Sequence, residues 1–119
     1  KRRIMRPILI FTGLFALALF SGCKASKQPR AQLKHPGQLI FNGYVTAKAD
    51  CFGCHGANGR GATWGPSLAK TPRFTDKALV RIIDEGPGPM GAYKNVLTAE
   101  QKKEVINWLR ESFGAFKKK

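Results

Sequence analysis

With 119 residues the chain has room for one domain. Its 21 Lys and Arg against seven Asp and Glu give a net charge of +14, a field that favours acidic protein partners or an anionic membrane surface and speeds association with them. Nucleic acid, the other common partner of so basic a chain, is a poor fit if the chain is exported, as its first residues imply.

That start carries Lys1, Arg2, Arg3 and Arg6, followed by 13 residues, Ile8 to Phe20, interrupted only by Thr12 and Gly13. A membrane-crossing helix needs about 20 apolar residues, whereas the apolar core of a secretory signal runs to roughly 7–15. Residues 1–22 therefore read as an export signal. It ends in Phe20-Ser21-Gly22-Cys23, which resembles the lipobox of bacterial lipoproteins, with Phe20 at the position usually held by Leu. The resemblance implies cleavage before Cys23 and a lipid on its sulfur, which also accounts for a cysteine that would otherwise be a lone thiol in an oxidising compartment. An ordinary signal that leaves one odd thiol, or a retained anchor helped by tilt or bilayer thinning, are the alternatives. Cleavage would remove four of the 21 basic residues and none of the seven acids, leaving a net +10. The expected location is the bacterial cell envelope, lipid-anchored at the outer face of the cytoplasmic membrane or the periplasmic side of the outer membrane.

Residues 23–35 read as the lipidated cysteine and a flexible basic tether. The polar stretch from Lys24 to Lys34 has one large aliphatic residue, Leu33, so it is expected to bury nothing and to span roughly 20 Å. The folded domain is expected over 36–116, with 117–119 a basic tail. A first helix is predicted from Gly37 to about Ala49, with Leu39, Ile40, Tyr44 and Val45 at helical spacing and Gly43 weakening it. Residues 51–74 are rich in Gly and Pro and show no strand alternation. So long an irregular stretch in a small domain implies that something other than protein fills the core. A second helix opens at Thr75 as N-cap, with Asp76 in its first turn, carries Leu79, Ile82 and Ile83, and stops at Gly86. The third has a capping box, Thr98 with Gln101, and puts Val105, Ile106, Leu109 and Phe113 on one face. The fold class is all-α.

Cys51-Phe52-Gly53-Cys54-His55 carries the chemistry. CxxCH is the attachment pattern of c-type haem: two thiols one helical turn apart can each add to a vinyl group of one porphyrin, and the following imidazole reaches the iron. A thioredoxin-like dithiol would need a βαβ context, and a structural zinc site would need four ligands; neither is present. The cofactor is therefore one haem c, covalently bound through Cys51 and Cys54, with His55 as an iron ligand.

Around the motif the chain resembles the class I cytochrome c family, over roughly Gly37 to Phe113. The matching parts are a helix leading into CxxCH, the pair Gly65-Pro66 followed by Ser67-Leu68, a helix from Thr75 to Glu85, a loop holding Met90, and a C-terminal helix from Thr98. The resemblance implies a small cytochrome c fold of three main helices wrapped around one covalently bound haem. It also implies that the Pro66 carbonyl accepts the Nδ1 proton of His55 and that Met90 is the sixth ligand. The chain departs from the family in having Thr46 and Ala47 where an aliphatic–aromatic pair is usual, and Gly91 where Pro commonly follows the Met ligand. Met90 is also favoured on its own residues: it is the only methionine beyond Met5 of the signal segment, and it sits in a Gly- and Pro-rich turn unsuited to core packing. His35 is the rival imidazole, and a vacant or Lys-bound sixth position completes the alternatives. Trp64, Phe74 and Tyr93 read equally as haem-pocket neighbours or surface aromatics.

A haem with both axial positions filled has no place for a substrate, so the protein is expected to transfer electrons and not to be an enzyme. The expected role is a membrane-tethered carrier of single electrons between respiratory or photosynthetic redox partners with acidic docking faces, met by a rim of Lys94, Lys102, Lys103 and Lys117 to Lys119. A fixed electron-transfer subunit of a larger membrane oxidoreductase complex is the alternative. A haem-based gas sensor or small peroxidase would require a displaceable sixth ligand, and a di-haem peroxidase a second CxxCH, which is absent.

Overall fold

The computed structural model describes residues 26–114; the signal segment 1–22, Cys23 and the tail 117–119 lie outside them. Four helices follow in order: α1 Pro36–Phe41, α2 Cys51–His55, α3 Asp76–Glu85 and α4 Ala99–Phe113, with 3-10 turns at Arg30–Gln32 and Thr71–Arg73. Among the described residues there is no strand, and the all-α class read from the sequence holds.

Helix α1 starts where sequence chemistry says it can. Pro36 takes the first helical position, where its missing N–H costs nothing, and the Gly37 N–H donates to His35 Nδ1 at 3.0 Å. The helix predicted to run to Ala49 stops after six residues. At Gly43 the backbone turns to φ +68°, a left-handed conformation that ends a helix at little cost only for glycine. The Asn42 side chain, fully buried, secures the break by donating to the carbonyls of Gln38 (3.0 Å) and Ala57 (3.2 Å). Val45 is consequently on the surface. Tyr44 turns back to donate from its hydroxyl to the Gln28 carbonyl at 2.5 Å, beneath the Lys27 ammonium 3.9 Å from its ring centroid. Leu33 is buried as well. The stretch expected to bury nothing thus contributes to the packed domain from Lys27 onward.

Helices α3 and α4 match the sequence reading closely. Thr75 Oγ1 accepts from the Ala78 N–H at 3.2 Å, and Gly86 closes α3 in a left-handed conformation. At α4 both halves of the capping box form, Gln101 N–H to Thr98 Oγ1 and Thr98 N–H to Gln101 Oε1. Val105, Ile106, Trp108 and Leu109 are buried along α4.

The core is organised by α1 against α4. The Phe41 and Trp108 rings lie 4.8 Å apart and tilted by 50°, in the range where aromatic pairs attract, with Ile40, Ala49, Leu97, Val105 and Leu109 around them. The contact is backbone-close: a Cβ at Gly37 would lie 2.0 Å from the Glu104 carbonyl oxygen. Two polar ties hold the other elements to α4. Lys102, a residue of the expected docking rim, is instead buried, its ammonium paired with Asp84 of α3 and 3.4 Å from the Lys94 carbonyl. Burial removes it from any docking role. Arg110 donates to Asp76 Oδ1 and to the carbonyls of Phe74 (2.8 Å) and Pro72 (3.4 Å), pinning the approach to α3.

Gly37→Ala should force α1 and α4 apart and lower the unfolding free energy by about 1–3 kcal/mol, measured by chemical denaturation of the haem-loaded protein. Gln38→Ala, one position on, serves as the control expected to cost less.

Candidate functional site

Behind the α1–α4 contact the protein encloses an apolar cavity of about 420 Å³, within the range of cofactor pockets. Leu79, Ile82 and Ile83 of α3 and Val105, Ile106 and Leu109 of α4 wall it, with Phe41, Leu68 and Leu97 completing the apolar lining. The irregular segment between α1 and α3 therefore surrounds a space that the side chains leave open.

Into this cavity the structure brings every candidate site residue within its bounds: Cys51, Cys54, His55, Pro66 and Met90. The two cysteines share the single turn of α2, which begins after Asp50 and ends at Gly56. Three positions apart on a helix, they lie on one face. Both are free thiols. Burial pushes the Cys51 thiol up to about 11, while Cys54 is exposed.

The imidazole is fixed through one contact. His55 Nδ1 lies 2.8 Å from the Pro66 carbonyl oxygen. A carbonyl can only accept, so Nδ1 carries the proton and Nε2 keeps its lone pair for a metal. Loop bonds hold that carbonyl in place: Gly61 N–H to the His55 carbonyl (2.7 Å), Ala62 N–H to Gly65 (3.1 Å) and Leu68 N–H to Gly59 (2.8 Å). Gly65 is required beside it, because a Cβ there would meet the Cys54 carbonyl oxygen at 2.8 Å and His55 Nδ1 at 3.0 Å.

Met90 is half-buried in the loop after α3. The loop closes through the Tyr93 N–H to the Ile83 carbonyl at 2.9 Å and folds so tightly that a Cβ on Gly86 would lie 2.4 Å from the Gly91 carbonyl. Gly91, the departure from the usual Pro, thus sits in a closed turn. His35 does not line the cavity. Its Nδ1 caps α1 and its Nε2 lies 3.5 Å from a Glu111 carboxylate oxygen on α4, so the rival imidazole has a structural post elsewhere. The three ambiguous aromatics separate. Tyr93 lines the cavity, and its hydroxyl is pushed above the usual phenol range by burial. Phe74 is outside the lining and half-exposed. Trp64 stands at the mouth with 72 % of its surface in solvent.

The residues fit a haem by the chemistry of the donor set: two thiols on one helical turn, an imidazole with its tautomer set, a thioether, and hydrocarbon walls in one space. Among the described residues no three His, Cys, Asp or Glu side chains converge to hold a bare metal ion. An all-α domain that gathers a CxxCH turn and a methionine around an apolar cavity is a c-type cytochrome domain, which implies a covalently held haem c. The chain belongs to the family described as cytochrome c oxidase, cbb3-type, subunit III, whose profile matches residues 39–109. No curated protein matches the chain.

Sequence reasoning missed Arg110 and the Lys102–Asp84 pair, which hold the cavity walls. Arg110 and its acceptors are 34–38 residues apart, and no local pattern links them.

Because Pro66 acts through its carbonyl, Pro66→Ala should keep the His55 contact and cost under about 1 kcal/mol. Gly65→Ala should displace it and cost about 1–3 kcal/mol. Denaturant midpoints of the two haem-loaded variants measure the contrast.

Proposed function

We propose that this protein is a mono-haem electron-transfer cytochrome in which Cys51 and Cys54 hold the haem by thioether bonds and His55 and Met90 are the axial ligands. The observation that carries the reading is that one cavity receives all four residues while the only other described histidine, His35, is occupied at the start of α1. The bound haem would supply an iron that gains and loses one electron. The chain supplies the rest. Pro66 orients the His55 ring and makes it a stronger donor, the Met90 thioether raises the potential relative to harder ligands, and the α3 and α4 side chains exclude water. With both axial positions filled, little rearrangement accompanies the change of oxidation state.

In this reading residues 1–22 are a cleaved signal and a lipid on Cys23 holds the domain at the bacterial cell envelope, facing the periplasm. Two modes of work follow. A mobile carrier would meet acidic partners through weak, charge-steered contacts. A fixed electron-entry subunit of an oxidase would stay with its complex, and the family match over residues 39–109 favours this second mode.

An optical spectrum of the oxidised protein tests the ligand set. The weak near-infrared band of a Met sulfur–iron bond should be present and disappear in Met90→Ala, with a lower reduction potential, inside the roughly 0.8 V that axial ligation spans. Absence of the band in the intact protein would reject Met90 as ligand. For the mode of work, a detergent extract washed at high salt discriminates: a fixed subunit co-purifies with oxidase activity, whereas a mobile carrier separates from it.

A further inference from the structure

Lys102 and Asp84 take no part in holding the haem, yet their place in the chain relates them to it. Asp84 is the last residue but one of α3, and Lys94 follows directly on Tyr93; the loop that carries Met90 runs between them. The Lys102 ammonium lies 2.5 Å from Asp84 Oδ1 and 3.4 Å from the Lys94 carbonyl oxygen. One side chain of α4 thus touches both the incoming and the outgoing limb of that loop. Asp84 Oδ1 is sealed from solvent and the ammonium meets it outside hydrogen-bond alignment, so the tie between them is Coulombic. Beside it, the Tyr93 N–H donates to the Ile83 carbonyl at 2.9 Å and closes the same base.

The loop supplies little stiffness of its own. Among the described residues, the one backbone bond within 86–92 runs from the Met90 N–H to the Pro87 carbonyl at 3.2 Å. Gly86 and Gly88 both have positive φ, a Cβ on Gly88 would touch nothing within 4 Å, and Gly91 follows the methionine directly. Glycines leave a chain the most freedom to lose, so the position of Met90 is set from the base of the loop. A lysine side chain only 8 % exposed is also a poor source of stability, because a buried ion pair can often be exchanged for apolar side chains at no loss. What such a pair can do is fix which groups meet.

We propose that Lys102 is a positioning residue for the sixth ligand: by clamping both limbs of the loop it keeps Met90 in place and the sixth position closed to outside ligands. The proposal rests on the reading of Met90 as that ligand. The clamp acts on an equilibrium between the closed loop and an opened one in which the thioether has left, and breaking the ion pair raises the opened fraction. An added ligand reads that fraction, since its apparent affinity scales with the population able to accept it. Imidazole then takes the place of the thioether, one donor bond for another, with no electron transferred.

The test titrates the oxidised, haem-loaded full chain with imidazole and follows the near-infrared band of the Met sulfur–iron bond, with denaturant unfolding measured in parallel. Lys102→Leu should bind imidazole roughly tenfold more tightly than the wild type, the effect of losing a tie of charged hydrogen-bond strength. Asp84→Asn breaks the same pair from the other side and should do likewise, so the test survives if either variant folds poorly. Two controls separate the clamp from general effects. Lys103→Leu removes the charge of the exposed neighbour, and Gly37→Ala loosens the α1–α4 contact away from the loop; both should keep the wild-type imidazole affinity. Affinities of the Lys102 and Asp84 variants within about twofold of wild type would overturn the proposal, and with a lowered unfolding midpoint would make the pair merely structural. An equal rise in Gly37→Ala would also overturn it, since any loosening of the domain would then open the loop. A wild-type protein without the near-infrared band would bring down Met90 as ligand and the clamp with it, whereas the band together with unmoved affinities rejects the clamp alone.

Discussion

The approach of α1 to α4 at Gly37 is the constraint on which the rest of the molecule depends. With no Cβ between the helix and the Glu104 carbonyl, Phe41 can reach Trp108, and Phe41 also lines the cavity. A short helix of six residues has little stability of its own. It persists because its cap, its proline and its tertiary contact all act together, and because Asn42 fastens its end to the loop after the CxxCH turn. The two ends of the functional segment are thereby referenced to the same helix.

A second economy appears in the segment from Gly56 to Leu68. Its backbone bonds run between residues of the segment itself and back to His55, while Gly59 and Leu68 seat it on the core. One loop thus sets the imidazole on its inner side, through Pro66, and presents Trp64 on its outer side. Residues 71–76 depend on Arg110 in a similar way, since a guanidinium with several donors can gather carbonyls that have no secondary structure to satisfy them.

The motif, the caps of α3 and α4 and the apolar face of α4 were legible because each is local: ligand spacing, an oxygen three residues before an N–H, a 3.6-residue period. The long Gly- and Pro-rich stretch was informative for the opposite reason, as a run that could fill no core, and a cavity lies where it runs. What could not be read was whatever depends on distant neighbours. Gly43 was noted as a weakness in a helix, but that it ends the helix follows from Asn42 finding Ala57. Leu33 looked stranded among polar residues, although it is buried. Lys102 looked like any surface lysine until α3 placed Asp84 beside it, and His35 could be dismissed as a ligand only once Glu111 and the α1 cap were seen to occupy it.

The reach of Arg110 also bears on the order in which the domain assembles. Its acceptors precede it by 34–38 residues, so these bonds form only after the C-terminal helix exists and docks. Closure of the α3 wall is therefore left to the C-terminal helix, whose Arg110 gathers the chain leading into α3 once α4 is in place.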